Sequence, residues 1–227
     1  MKRIVVFTGA GISAESGLKT FRAADGLWEE HRIEDVATPA AWQRDPELVL
    51  RFYNERRRGV LAAQPNAAHH ALAALEQHAD VQIITQNIDD LHERAGSSNV
   101  LHLHGEITLA RSTRDDRLYD LKGADIALGD RCPGGAQLRP HVVWFGEAVP
   151  MFEPALELTE SADIFLVVGT SLAVYPAASL LQFVQPAAEK YIVTLDLAEP
   201  PRHDFTWLKE KASVGVPALV ERWRGIQ

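Results

Sequence analysis

Short apolar runs separated by helix-forming stretches leave this chain few architectures. Residues 4–7 (IVVF), 81–85 (VQIIT), 99–104 (NVLHLH), 142–145 (VVWF), 164–168 (IFLVV) and 192–195 (IVTL) each have the length of a strand. Several are apolar at consecutive positions, the pattern of a parallel strand buried on both faces. Helical stretches lie between them. One starts at Asp45-Pro46, an acidic N-cap followed by proline in the first turn, and continues through LVLRFYNERRRGVLAA. A second starts at Pro65-Asn66 with Leu72 and Leu75 inward, a short one stops at Gly96, and others begin near Pro154, at Pro176 and at Pro217. This alternation predicts an α/β fold, a parallel sheet covered by helices on both faces. Residues 106–139 are charged, turn-rich and only briefly apolar, and read as a functional insertion.

The first run leads straight into TGAGISAESGLKTFRAADGLW, residues 8–28. Gly9 and Gly11 permit a tight turn and close approach of another group, and Ser13, Glu15 and Ser16 favour a helix start. Strand, glycine turn and helix start together make an anion site. Gly9-x-Gly11-x-x-Ala14 fits the loose dinucleotide fingerprint, but the acidic residue expected at the end of a second strand about 20 residues on is missing.

Polar residues gather where the runs end: Thr8-Gly9, Gln86-Asn87-Asp89, His104, Gly169-Thr170-Ser171 and Asp196. Ligands of open α/β sheets bind outside the carboxyl ends of the strands, so this clustering supports the opening turn as a ligand site. His104 reads as a general base, as a hydrogen-bonded structural histidine or, with His102, as half of a metal pair lacking a third ligand. Asn87 and Asp89 also suit the cap of the following helix. Val49, Tyr53, Arg56 and Val60 share one helical stripe, where a guanidinium is costly unless an acidic group meets it. Arg56 therefore reads as a salt bridge, as a solvent-reaching side chain, or with Tyr53 as a pocket for an acidic ligand. Its neighbours Arg57 and Arg58 are expected to be solvated. Residues 143–145 are core strand or an edge that pairs with a peptide.

The net charge of −8 argues against nucleic-acid or anionic-membrane partners. One cysteine, Cys132, excludes an internal disulfide, and no apolar stretch approaches the length of a membrane span. With no room for a signal peptide before the first strand, a cytoplasmic location is expected.

GAGISAESG, TFRAADGLW, TQNIDDLHERAG, LHLHGE, LRPHVVWFGE and GTSLAVYPAA, in this order, resemble the sirtuin family of NAD-dependent protein lysine deacylases over nearly the whole chain. The resemblance implies a Rossmann-like core at about residues 1–25, 65–105 and 141–227, and a small module built from insertions at about 26–64 and 106–140. It implies NAD as cofactor, held by Gly9, Ala10, Gly11, Ser13, Glu15, Thr20, Phe21, Arg22 and Trp28, by Gln86, Asn87, Ile88 and Asp89, and by Gly169, Thr170, Ser171 and Asp196. In the family's mechanism the substrate amide oxygen attacks the nicotinamide ribose and nicotinamide leaves. The histidine matching His104 then acts as general base, alongside Asn87 and Asp89, giving free lysine and O-acyl-ADP-ribose. The partner implied is an acylated lysine of a protein or peptide, clamped by Val143, Trp144 and Phe145. Tyr53-x-x-Arg56 resembles the acyl-pocket pair of the class that removes succinyl and malonyl groups.

The chain departs from the family in lacking the zinc-binding cysteines. The first pair would fall near Ser112 and Asp115 and the second near Cys132, the one cysteine present, so no zinc is expected. The module would then rest on packing and on ion pairs available to Arg111, Arg114, Asp115 and Asp116, or be locally disordered near 112–135. Asp196 stands where the family commonly has Asn. An NAD hydrolase or ADP-ribosyltransferase and a non-catalytic NAD sensor are the competing readings. The sequence leaves the oligomeric state open.

Overall fold

A computed structural model describes residues 1–20, 27–28 and 31–225. Its centre is a six-stranded sheet of β1 (Arg3–Thr8), β4 (Asp80–Thr85), β5 (Val100–His102), β9 (Ile164–Val168), β10 (Glu189–Val193) and β11 (Thr206–Leu208). The order is β11-β10-β9-β1-β4-β5, and every pairing is parallel. Alternation along β1 sends its side chains to two cores. Ile4 and Val6 pack with Leu72 and Leu75 of α4 (Ala67–Leu75) and with Val216 and Leu219 of α7 (Ala212–Trp223). Val5 and Phe7 pack on the other face with Ala155 of α6 (Phe152–Glu160) and Leu180 of a 3-10 helix, Ala177–Phe183. The expected Rossmann-like sheet, covered on both faces, is thus the observed one.

Because β1 lies between β9 and β4, successive strands run outward from it in opposite directions. The loops that leave β1 and β9 therefore meet at a topological switch point, where open sheets place their ligands. Here those loops are bonded together: Gly9 N–H donates to Val168 O at 3.0 Å and Gly11 N–H to Gly169 O at 2.7 Å. A Cβ on Gly11 would lie 2.7 Å from Gly169 Cα, and Gly169 itself sits at φ +62°. What presses on the first glycine turn is the second one.

The remaining elements form a smaller layer. A hairpin, β2 (Leu27–Trp28) with β3 (His31–Arg32), precedes α1 (Ile33–Val36), α2 (Pro39–Arg44) and α3 (Pro46–Ala62). These helices pack on an antiparallel sheet of β6 (Gly105–Ser112), β7 (Leu118–Asp120) and β8 (Leu138–Val142). The stretch expected to lack pattern thus contains three strands. A register shift between Glu106 and Ala110 interrupts the two-residue alternation that would have revealed β6. Residues 112–135 are ordered around it. Ser112 Oγ meets the Sγ of buried Cys132 at 3.5 Å. Arg111 and Arg139 both pair with Glu147, at 3.1 and 2.7 Å, while Arg111 reaches Asp116 only at 3.9 Å. Arg114 reaches Gly134 O at 3.5 Å, and Asp115 pairs with Arg117 at 3.5 Å.

Arg57 corrects the sequence reading most sharply. It is buried, not solvated, at 0% exposed. Its Nε donates to Ile107 O and its Nη1 to Asn54 Oδ1, both at 2.7 Å, and Nη1 reaches Ala124 O at 3.4 Å. Burial lowers its pKa to about 10. Asn54 also exchanges hydrogen bonds with the backbone of Ile126, so α3 grips the 124–126 turn through both residues. Arg58 is exposed, as expected, and pairs with Asp125.

Four boundaries also differ. β10 begins at Glu189, ahead of the expected residue 192, because Glu189 and Lys190 already pair with Ile164 and Phe165 of β9, and the Lys190 ammonium is buried on Pro186 O and Ala188 O; Leu195 lies beyond the strand. The last helix begins at Ala212, with Pro217 inside it. The element after Pro176 is 3-10, not α. Residues 143–145 are not strand, since β8 stops at Val142. α5 (Leu91–Ala95) and its stop at left-handed Gly96 agree with expectation.

Candidate active site

The carboxyl ends of β1, β4, β9 and β10 open into one cavity of about 620 Å³. Its walls hold Gly9, Ala10, Gly11, Ser13, Glu15 and Thr20 from the first loop, and Gln86 to Asp89 and His104 from the β4 and β5 ends. Gly169, Thr170, Ser171 and Asp196 close one side; Trp28, Tyr53, Arg56 and residues 143–145 close the other. Of the candidate site residues, only Phe21 and Arg22 lie outside the described residues.

The Gln86–Asn87 segment is held at every backbone polar group. Gln86 N–H donates to Thr8 O at 2.9 Å, and Asn87 N–H to Thr85 Oγ1 at 3.0 Å. The two carbonyls face histidines: Gln86 O lies 3.0 Å from His104 Nδ1, and Asn87 O lies 3.1 Å from His102 Nδ1. A carbonyl only accepts, so both Nδ1 atoms carry protons. In neutral His104 this puts the lone pair on Nε2. Burial lowers its pKa against a smaller upward pull from the Gln86 carbonyl, keeping the ring neutral and basic at ordinary pH. His102 differs, because its Nε2 also faces an acceptor, Glu93 Oε1 at 2.7 Å. Burial opposes its charge, but Glu93, with Glu106 and the Asn87 carbonyl, outweighs burial and raises its pKa. With both His102 nitrogens engaged, a His102–His104 metal pair finds no support.

Asn87 sends its Nδ2 to Ser13 Oγ at 3.2 Å, and Ser13 Oγ donates to Asp89 Oδ2 at 3.0 Å. Asp89 Oδ1 accepts Leu91 N–H, the first of α5, at 3.2 Å; the N-cap residue itself is Asp90, whose side chain makes no cap bond. Burial raises the Asp89 pKa in spite of these donors. Glu15 lines the cavity, yet its carboxylate is spent on the start of α7, taking Ser213 N–H and Oγ–H at 3.1 and 2.8 Å. The α7 end, with Glu210, Lys211 and Ala212, is a part of the wall that sequence reasoning missed. Reading Pro217 as the helix start hid it.

On the opposite wall Tyr53 is fully buried, and desolvation raises its pKa well above the usual phenol value. Trp144 lies near enough to pull that pKa the other way, but neither Tyr53 Oη nor Trp144 Nε1 has a partner of ordinary hydrogen-bond geometry. The Arg56 guanidinium carbon lies 4.2 Å from the Trp28 ring centroid, a cation–π contact. Residues 143–145 are not a free edge: Val143 N–H bonds His104 O, Trp144 N–H bonds Glu147 Oε2, and Phe145 N–H bonds Ala37 O. Trp144 is buried under Arg139, whose Cζ lies 3.3 Å over its ring, whereas Phe145 is exposed. Among the described residues no three His, Cys, Asp or Glu side chains group as metal ligands. No helix there is long and apolar enough to cross a membrane.

Residues 9–176 match the Sir2 family. A protein of Bacteroides thetaiotaomicron named NAD-dependent protein deacylase is 53% identical over 199 residues, 85% of each chain. One of the same name from Vibrio cholerae is 49% identical over 231 residues, covering 97% of this chain and 92% of that one. Among solved structures, a Sir2 homologue–NAD complex superposes with a TM-score of 0.89 at 43% identity, over 98% of this chain and 90% of the other.

Proposed function

The chain belongs to the Sir2 family, and from that premise we propose that it removes acyl groups from protein lysine in an NAD-dependent reaction. The observation that carries this reading is the single cavity that His104, Asn87 and Asp89 share with Tyr53 and Arg56. The residues present fit the cofactor. The cavity has the volume of a ligand site, and it opens at the switch point beside two glycine turns and a set of polar side chains. NAD supplies, when bound, a ribose carbon whose leaving group is nicotinamide.

The chain's own residues supply orientation and a base. His104, its Nδ1–H fixed on Gln86 O, offers Nε2 to take the proton of a hydroxyl in the cavity. Asn87, Ser13 and Asp89 form one hydrogen-bonded line, which fixes the Asn87 amide for a polar group of the ligand. The products are nicotinamide, free lysine and O-acyl-ADP-ribose.

The substrates include succinyl- and malonyl-lysine as well as acetyl-lysine. Two observations support this. Tyr53 Oη and Trp144 Nε1 are buried donors without partners among the described residues, on the wall that holds Arg56. A guanidinium seated over the Trp28 ring suits two-point contact with a carboxylate. The small module is proposed to stand without zinc, held by Arg57, Asn54 and the Glu147 ion pairs.

Incubation with NAD and acetyl-, succinyl- or malonyl-lysine peptides, followed by nicotinamide release and peptide mass, tests the reaction. Nicotinamide with unchanged peptide would mean a hydrolase or ADP-ribosyltransferase; no turnover would mean a sensor. The double variant Tyr53→Phe, Arg56→Met should lose desuccinylation and keep deacetylation. An equal fall in both would refute the acyl pocket.

A further inference from the structure

Two buried histidines have no part in the reaction just described. His69 on α4 and His92 on α5 are 0% and 1% exposed, with ring centroids 4.9 Å apart. His69 Nδ1 lies 3.2 Å from the backbone N–H of Asn66 and can only accept it, so its ring proton is on Nε2. That Nε2 has no acceptor among the described residues, and His92 Nδ1 likewise has no partner. His92 Nε2 lies 3.1 Å from Thr8 Oγ1. Thr8 Oγ1 donates to Thr85 Oγ1 at 2.8 Å, and Thr85 Oγ1 accepts Asn87 N–H at 3.0 Å.

The chain can run in two senses. With the Thr8 proton on Thr85, His92 Nε2 donates and Nδ1 keeps a lone pair, so the unpartnered ring atoms are a donor on His69 and an acceptor on His92, on neighbouring rings. In the reverse sense Thr85 donates to Thr8 and Thr8 to His92 Nε2, which places both hydroxyl protons but sets two N–H donors on neighbouring buried rings with no acceptor between them. The first sense avoids that repulsion between like donors. Burial keeps both rings neutral: His69 is lowered to about 4, and His92 lies well below its ordinary value.

We propose that His92 is a positioning residue for the NAD-dependent reaction: through Thr8 and Thr85 its Nε2–H fixes the Asn87 backbone, and His69 selects the tautomer that lets it donate. The same line reaches the first glycine turn. Asn66, which holds His69, also donates its Nδ2 to Ile12 O at 2.8 Å and to Ser16 Oγ at 3.0 Å. The residues of this buried cluster thus hold both the Asn87 backbone and the loop opposite it.

The inference rests on the proposed reaction for its kinetic readout, and its spectroscopic readout is independent of that reaction. Long-range ¹⁵N–¹H correlation spectra of the full chain at neutral pH, assigned with His69→Gln and His92→Gln, should show both rings as neutral Nε2–H tautomers. His92 found as the Nδ1–H tautomer overturns the proposal. In turnover, Thr8→Val and His92→Leu should each lower kcat for nicotinamide release roughly tenfold to a hundredfold, with little change in KM for NAD. His92→Gln, whose amide nitrogen reaches the place of Nε2, should recover most of the rate. The double variant Thr8→Val, His92→Leu should be no worse than either single one, since the chain is already broken. Equal losses in the Gln and Leu variants, or losses that multiply in the double variant, refute it. If His92→Leu does not fold, Thr8→Val and His92→Gln carry the same test. A wild-type chain that releases no nicotinamide sinks the proposed function, while the tautomers still decide this inference.

Discussion

Neutral His69 should make the protein sensitive to mild acid by an amount that follows from its burial. Desolvation lowers its pKa from 6.5 to about 4, with His70 pushing the same way and Glu93 opposing; the His92 ring packs against it. Between these two values the unfolded chain binds a proton on this ring and the folded chain does not. Stability therefore rises with pH through this window and is lost as pH falls through it. From pH 7 to pH 5 the loss assigned to this one ring is about 2 kcal/mol. The perturbation is His69→Gln, which cannot titrate. Urea unfolding of both proteins at pH 7 and pH 5 separates this contribution from every other titrating group. The wild type should lose about 2 kcal/mol more than the variant over that interval. Parallel losses would show that His69 takes up its proton in the folded state, and the neutral network around it would have to be abandoned.

Other perturbations test other parts of the structure. Arg57→Leu leaves Ile107 O and Asn54 Oδ1 without their donor and should cost on the order of 3 kcal/mol in urea unfolding; a change below about 0.5 kcal/mol, the range of ordinary surface substitutions, contradicts the anchoring role. Gly11→Ala forces its new Cβ into Gly169, so the melting temperature should drop and calorimetry should register weaker NAD binding. If the alanine variant binds NAD like the parent, the two loops are not locked as described. Chelator treatment should leave the melting curve unchanged, and metal analysis should find no zinc; one zinc per chain would overturn the metal-free module.

The apolar runs determine the sheet by themselves. Ile4-Val5-Val6-Phe7 and residues 164–168 have no polar face to show solvent, so they must lie between two layers, and they do. The helix starts at Asp45 and Asn66 are equally local, because each cap is a side chain bonding a backbone N–H within three residues. Most of the cavity was legible too, since polar residues at the ends of parallel strands have nowhere else to converge.

Other features depend on contacts distant in sequence. Arg57 reads as a surface residue within RRR, and it is buried because the carbonyls of Ile107 and Ala124, far along the chain, fold over it. The strands of the small module escape notice because a bulge breaks their period. The opening glycine turn lines the cavity, but the group that demands its glycines is Gly169. The partners of His69 and His92 come from α4, α5, β1 and β4, and no stretch of sequence contains that network. Periodicity and capping act over a few residues and can be read along the chain. The satisfaction of a buried polar group is set by whatever the fold brings beside it, and only the tertiary structure decides that.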